Sequence, residues 1–173
     1  GEDHPMTLRT MAQVGKMLSK VGKKDESEAI LLRHLEINRR IYGDDVPETV
    51  EATRHLVNIF QAHGKHDEAE LLLRKLLGSY RRLHGEEHPE TLIFMLNLGL
   101  TLSAKGKLQE AEALMQEALK GFTRVNGSDH PNTLLASSAK IRLLQKQGKH
   151  DEAEVFAREV LNMYRRVYGN EDP

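Results

Sequence analysis

The chain has 173 residues, 25 basic and 26 acidic, with 39% hydrophobic and 29% charged side chains. A net charge of -1 and 5% aromatic residues argue against a dedicated nucleic-acid binder or a polybasic membrane-surface protein. The absence of cysteine excludes disulfides, thiolate metal sites and thiol nucleophiles, and no apolar run is long enough to span a bilayer.

The sequence repeats. Gly1, Gly43, Gly85, Gly127 and Gly169 stand 42 residues apart, opening GEDHPMTL, GDDVPETV, GEEHPETL, GSDHPNTL and the stub GNEDP. A period of this length marks a stacked array of supersecondary units. Repeats are expected at 1–42, 43–84, 85–126 and 127–168. Residues 169–173 read as the opening of a fifth, so that the chain would be a section of a longer array.

Each repeat reads alike in chain order. A charged turn leads to Pro5, Pro47, Pro89 or Pro131, which suits the first turn of a helix because its missing N–H is an orphan there anyway. A helical stretch follows and stops at Gly22, Gly64, Gly106 or Gly148, where a left-handed residue is needed. A second helix then opens on acidic residues such as Asp25-Glu26 and Asp67-Glu68, which complement its positive end. Apolar side chains recur at helical spacing, as in Leu92, Met95, Leu98 and Leu102, then Ala111, Leu114, Met115, Ala118, Leu119, Phe122 and Val125. One such hairpin cannot bury its stripe alone, but stacked hairpins can.

The third repeat, with Leu98-Gly99, Leu102, Gly106, Ala111 and Ala118, resembles a tetratricopeptide repeat lengthened to 42 residues. The turn motif and the stretches GKLQEAEAL and GKHDEAEVF are similar to kinesin-light-chain-type and nephrocystin-like arrays. The resemblance covers residues 1–168. It implies an all-α, right-handed solenoid of four antiparallel helix pairs, eight helices in all. It also implies a non-catalytic scaffold that holds a partner segment in a concave groove lined by the first helix of each pair. Asn58 and Asn97 resemble the groove asparagines that hold a peptide backbone in kinesin-light-chain repeats.

Several positions depart from the repeat pattern. Ser27 replaces a small Ala, His34 stands where Leu76, Ala118 and Val160 stand, Val57 and Ile141 replace Gly15 and Gly99, and Lys140 sits at an apolar position with its stem along the core.

No nucleophile motif, phosphate loop or dinucleotide fingerprint is present, so no catalytic residue, cofactor or metal site is expected. Carboxylate pairs such as Glu68/Glu70 and Glu110/Glu112 recur in every repeat, as structural groups do. The histidines at 4, 63, 66, 88 and 130 suit helix capping or a solvated turn. The basic pairs Arg39-Arg40, Arg81-Arg82 and Arg165-Arg166 lie beside acidic turns and are expected to form local ion pairs.

The outward positions of the first helices vary between repeats, unlike the turns. Register puts Arg9, Ala12, Gln13, Lys16, Ser19 and Lys20 there in the first repeat and Glu51, Arg54, His55, Asn58, Gln61 and Ala62 in the second. The third gives Ile93, Leu96, Asn97, Leu100, Ser103 and Ala104, and the fourth Leu135, Ser138, Ala139, Arg142, Gln145 and Lys146. Six basic residues against one acidic, with an apolar patch at Ile93, Leu96, Leu100 and Leu135, predict a protein-binding groove, and the lack of cysteine fits a cytoplasmic, reducing location. Its partner would be a protein or peptide with acidic and aliphatic side chains, not nucleic acid or membrane. The competing expectation is a structural spacer or self-assembling section without a peptide ligand. Phe156, Val160, Tyr164 and Val167 on the last helix would then invite end-to-end association.

Overall fold

The computed structural model describes residues 3–169, and among them it has eight α-helices and no strand. They are α1 (Pro5–Lys20), α2 (Lys24–Tyr42), α3 (Pro47–Ala62), α4 (His66–His84), α5 (Pro89–Ala104), α6 (Leu108–Asn126), α7 (Pro131–Lys146) and α8 (His150–Tyr168). The first helix of each pair has 16 residues and the second 19. The all-α helix-pair fold expected from the sequence is therefore present. Residues 170–173, most of the expected fifth-repeat stub, lie outside the described residues.

Local chemistry sets the boundaries. Each first helix begins at its proline, and the His4, His88 and His130 side chains cap three of them by accepting from the backbone N–H two residues on, at 3.2, 3.3 and 3.1 Å. Val46 fills the fourth cap with no such bond. The first helices end where Gly22, Gly64, Gly106 and Gly148 take φ from +75 to +82°. There Lys23 N–H donates to the Leu18 carbonyl at 2.9 Å and Gly22 N–H to Ser19 at 3.1 Å, closing two otherwise orphaned carbonyls. The same pair of bonds recurs at the other three glycines. The repeat glycines 43, 85, 127 and 169 also have positive φ, from +83 to +90°, and end the second helices.

The chain divides into two compact units, one through Ser79 and one from Tyr80 onward, with the division inside α4. In the first, α2 packs against both α1 and α3, and α1 touches α3. Its core includes Leu31, Leu35, Val50, Leu56, Val57 and Leu73, each at most 3% exposed. In the second, α6 packs against α5 and α7, α7 against α8, and α5 touches α7. Its core includes Leu92, Phe94, Met95, Leu98, Met115, Phe122 and Leu134.

Two of the departures from the repeat pattern, Ser27 and Lys140, have local partners. A Cβ on Gly15 would lie 2.6 Å from Leu31 Cγ, so α1 and α2 approach too closely for any larger residue. Ser27, fully buried opposite, donates its hydroxyl to the Gly15 carbonyl at 2.7 Å, a bond that alanine cannot make. The Lys140 ammonium ends 4.4 Å over the Phe156 ring as a cation–π contact.

The arginines near the ends of the second helices form local pairs. Arg39 meets Asp44 at 2.9 Å, Arg81 meets Glu86 at 2.8 Å, and Arg40 and Arg124 pair with Asp3 and Glu87. Most of these groups are well exposed and contribute only tenths of a kcal/mol each, about 0.2–1.

Candidate functional site

Two faces answer to the expected binding surface, one in each unit. On the first, α1 exposes Arg9, Gln13, Lys16 and Lys20, while α3 exposes Glu51 and Asn58 and half-buries Arg54 and Gln61. Arg54 Nη2 lies 3.4 Å from Glu51 Oε2. Among the described residues, no carboxylate pairs with Arg9, Lys16 or Lys20. On the second face, α7 exposes Leu135 at 52%, with Arg142 and Lys146. Helix α5 half-buries Ile93, Asn97 and Leu100 there. Lys146 Nζ is 3.3 Å from the Ser103 carbonyl oxygen, which ties α7 to α5.

Five outward positions are corrected. Leu96 is 3% exposed and belongs to the core, as do Ala12, His55, Ser103 and Ala139 at 8, 9, 8 and 1%. Helix α5 is buried on most of its circumference, so a register argument cannot separate its two faces.

The first unit holds an open cleft of about 250 Å³ between α1 and α3, floored by α2. Leu8, Arg9 and Ala12 form one wall, Glu48, Glu51 and His55 the other, and His34, Asn38 and Tyr42 the floor. The His34 and His55 rings lie 6.5 Å apart between centroids and 23° from parallel. Glu51 Oε1 stands 2.9 Å from His55 Nε2. Burial, then the charges of His55 and Lys16, holds the His34 imidazole below the ordinary histidine range. Burial, then Lys16, lowers His55 too, although Glu51 acts in the opposite sense. Sequence reasoning missed this pair. The signal was His34 at a position otherwise apolar, but nothing in the spacing brought it to His55.

His63 also differs from the expectation of a capping or solvated role. Its side chain is 3% exposed, with Nδ1 2.8 Å from Glu28 Oε1 and Nε2 3.0 Å from Ser19 Oγ. Lys65 Nζ pairs with the other Glu28 oxygen. In the second unit Glu112 takes the Glu28 part, meeting Gln147 at 2.6 Å and Lys149 at 3.4 Å. Glu28 and Glu112 are thus clasps between a second helix and the next turn. No group of three or more His, Cys, Asp or Glu is placed to hold a metal ion among the described residues. No described helix is long and apolar enough to cross a membrane.

This architecture of proline-started and glycine-stopped helix pairs is that of a helical repeat protein. The tetratricopeptide repeat family model matches residues 13–82, 72–124 and 90–166, and the chain belongs to that family. Among solved structures it is similar to the nearly identical TPR-like repeats assigned to a kinesin light chain of Podosopora anserina. That likeness has 22% identity and a TM-score of 0.83, over 96% of this chain and 79% of that one. It is also similar to BtubC (BKLC) from P. vanneervenii, with 15% identity and a TM-score of 0.79 over 96% of this chain and 66% of that one. The apo form of RapI follows with 16% identity and a TM-score of 0.74, over 92% and 56%. At these identities the likeness concerns the fold. No curated protein matches the chain by sequence.

Proposed function

We propose that the protein is a non-catalytic interaction scaffold of the cytoplasm, whose first-helix faces hold a segment of a protein partner rich in acidic and aliphatic side chains. The carrying observation is a contrast in charge. Arginines near the ends of the second helices are paired in a repeating pattern, whereas Arg9, Lys16 and Lys20 stand exposed with no carboxylate partner among the described residues. Charges that the fold does not use, on positions that vary between repeats, suit a partner of opposite charge. Leu135, Ile93 and Leu100 offer the second unit's face an apolar patch for aliphatic side chains, and Asn58 and Asn97 offer amides to its backbone.

Selection from a random peptide library provides the test. Recovered peptides should be enriched in Asp and Glu with Leu, Ile or Val. The triple variant Arg9→Glu, Lys16→Glu, Arg142→Glu should bind them on the order of 100-fold more weakly, with unchanged helical circular dichroism. Undiminished affinity would refute the basic face.

A second reading, a self-assembling section of a longer array, has its own support in exposed apolar residues on α1 and α8. Val14 and Met17 are 37 and 66% exposed on α1, where their counterparts Leu56 and Ile59 on α3 are 1 and 8%. On α8, Leu161 is 48% exposed against 2% for Leu35 on α2. Val160, expected to be open, is buried at 3%, Phe156 and Tyr164 are half-buried, and the Val167 side chain lies outside the described residues. Sedimentation at rising concentration should then show association that Met17→Glu with Leu161→Glu abolishes. A monomer at all concentrations would dismiss this reading.

A further inference from the structure

The α1–α3 cleft contains two polar groups that the helix-pair fold does not require. His34 occupies a second-helix position that is Leu76, Ala118 or Val160 in the other repeats, and His55 occupies a first-helix position that is Gln13, Asn97 or Ala139. Their side chains line the cleft, at 6 and 9% residue exposure, and each Nδ1 is buried without a hydrogen-bond partner among the described residues. Buried polar atoms are nearly always partnered, so two orphans side by side in one cleft call for an account. Arg9 is the one cation among the residues that line the cleft, and the Lys16 charge acts on both rings from beside it. Of the two carboxylates that line it, Glu51 is engaged by His55 and Arg54, which leaves Glu48 on the α3 wall as the one negative group to oppose Arg9 and Lys16.

We propose that this cleft is a proton-linked subsite for an acidic side chain of the bound segment. A glutamate or aspartate enters between α1 and α3 and is met by Arg9 and Lys16. It accepts a hydrogen bond from the His34–His55 pair, one ring turning about its Cβ–Cγ bond to present Nδ1. The pair takes up a proton from solvent as the carboxylate binds. The inference rests on the partner-binding reading of this face and specifies one residue of the partner. An aliphatic side chain in the cleft would cover both orphaned nitrogens and leave them unpartnered. A basic side chain would meet Arg9 and Lys16.

The linkage has a definite sign. In the empty cleft both imidazoles are held below the ordinary range, by burial first and by the neighbouring cations next. They are therefore neutral at pH 7. A carboxylate beside them raises both, so the bound form holds more protons than the free form. Affinity must rise as pH falls from 8 towards 6.

The test uses the full chain and two labelled hexapeptides, one alternating Leu and Glu, the other Leu and Gln. Fluorescence anisotropy gives affinities at pH 8 and pH 6, and NMR follows the Cε1–H signals of His34 and His55. The Glu peptide should bind several-fold tighter at the lower pH, short of the roughly tenfold ceiling that one unit of histidine shift sets. Both signals should titrate at higher pH in its presence, and the Gln peptide should do neither. His34→Leu, which installs the residue that Leu76 supplies in the second repeat, should fold and lose the pH effect. If the Glu peptide binds with no pH effect and unmoved signals, the subsite is wrong while the charged face stands. Affinity that falls with acid would mean that an aliphatic side chain fills the cleft, which overturns the proposal. Failure of both hexapeptides to bind also overturns it. The wider reading fails separately, if the peptide library yields no binder.

Discussion

Phe94→Ala is expected to destabilise the second unit by about 4 kcal/mol. Phe94 is fully buried at 0% exposure near the middle of α5. Its ring meets Tyr80 edge to face, with centroids 5.0 Å apart and planes at 79°. Truncation removes the transfer energy of a whole phenyl ring and leaves a cavity that α5 cannot close, since Leu92, Met95 and Leu98 around it are already packed at 2% exposure or less. The aromatic pair adds roughly 0.5–1.5 kcal/mol beyond burial. In urea, followed by circular dichroism, the midpoint should fall steeply with an unchanged slope. Phe94→Leu, which keeps most of the volume, should lose only about 1–1.5 kcal/mol. Equal losses for the two variants would show that shape at this site does not matter.

Much of this fold was legible because the chain states the same instruction four times. One proline or glycine is a weak signal, whereas four at a fixed interval are not. Pro5, Pro47, Pro89 and Pro131 begin the first helices, and Gly22, Gly64, Gly106 and Gly148 end them with positive φ. The small residue of the second helix, Ser27, Ala69, Ala111 or Ala153, was legible for the same reason, whereas its first-helix counterpart is Gly only at 15 and 99, where a Cβ would come 2.6 Å from Leu31 Cγ and 2.8 Å from Met115 Cγ. The candidate faces were less legible. Arg9, Gln13, Lys16 and Arg142 are exposed as expected, since a charged residue beside an apolar stripe has only one way to point. Leu96 is not, because α5 is apolar nearly all round and periodicity then carries no direction. The histidines were the least legible. His63 reaches Glu28 across 35 residues and His34 reaches His55 across 21 positions. A repeat pattern announces what recurs, and these pairs are substitutions against the pattern that only packing brings together.

Glu28→Ala is expected to cost the first unit roughly 3 kcal/mol, because it strands a buried partner. The Glu28 carboxylate, on α2, accepts from His63 Nδ1 at 2.8 Å and from Lys65 Nζ, and both residues lie in the turn between α3 and α4. His63 in turn meets Ser19 at the end of α1 through Nε2, at 3.0 Å. An imidazole that donates from Nδ1 and accepts the serine hydroxyl at Nε2 satisfies all three groups with one proton on the ring. Removing the carboxylate leaves the Nδ1 donor buried with no acceptor, since the His63 side chain is only 3% exposed. Glu28→Gln keeps an acceptor but loses the charge, and about 1–2 kcal/mol should go with it. The charge makes a second, sharper claim. Burial pushes the Glu28 carboxyl up, but the hydrogen bonds from Lys65 and His63 and the Lys65 charge outweigh it and hold it below its ordinary value of 4.5. A carboxyl lowered by folding stabilises above its unfolded value and ceases to do so as pH falls through the folded one. The stability gap between the native chain and Glu28→Gln should therefore be full at pH 7 and begin to narrow below about pH 4.5. It should close once the carboxyl is protonated in both states. Other carboxylates titrate over the same range, but they are common to both chains and cancel in the difference. Urea unfolding at a series of pH values measures that gap directly. A gap that stayed constant down to pH 3 would mean that the clasp works by shape and hydrogen bonding alone, without the ionised carboxylate.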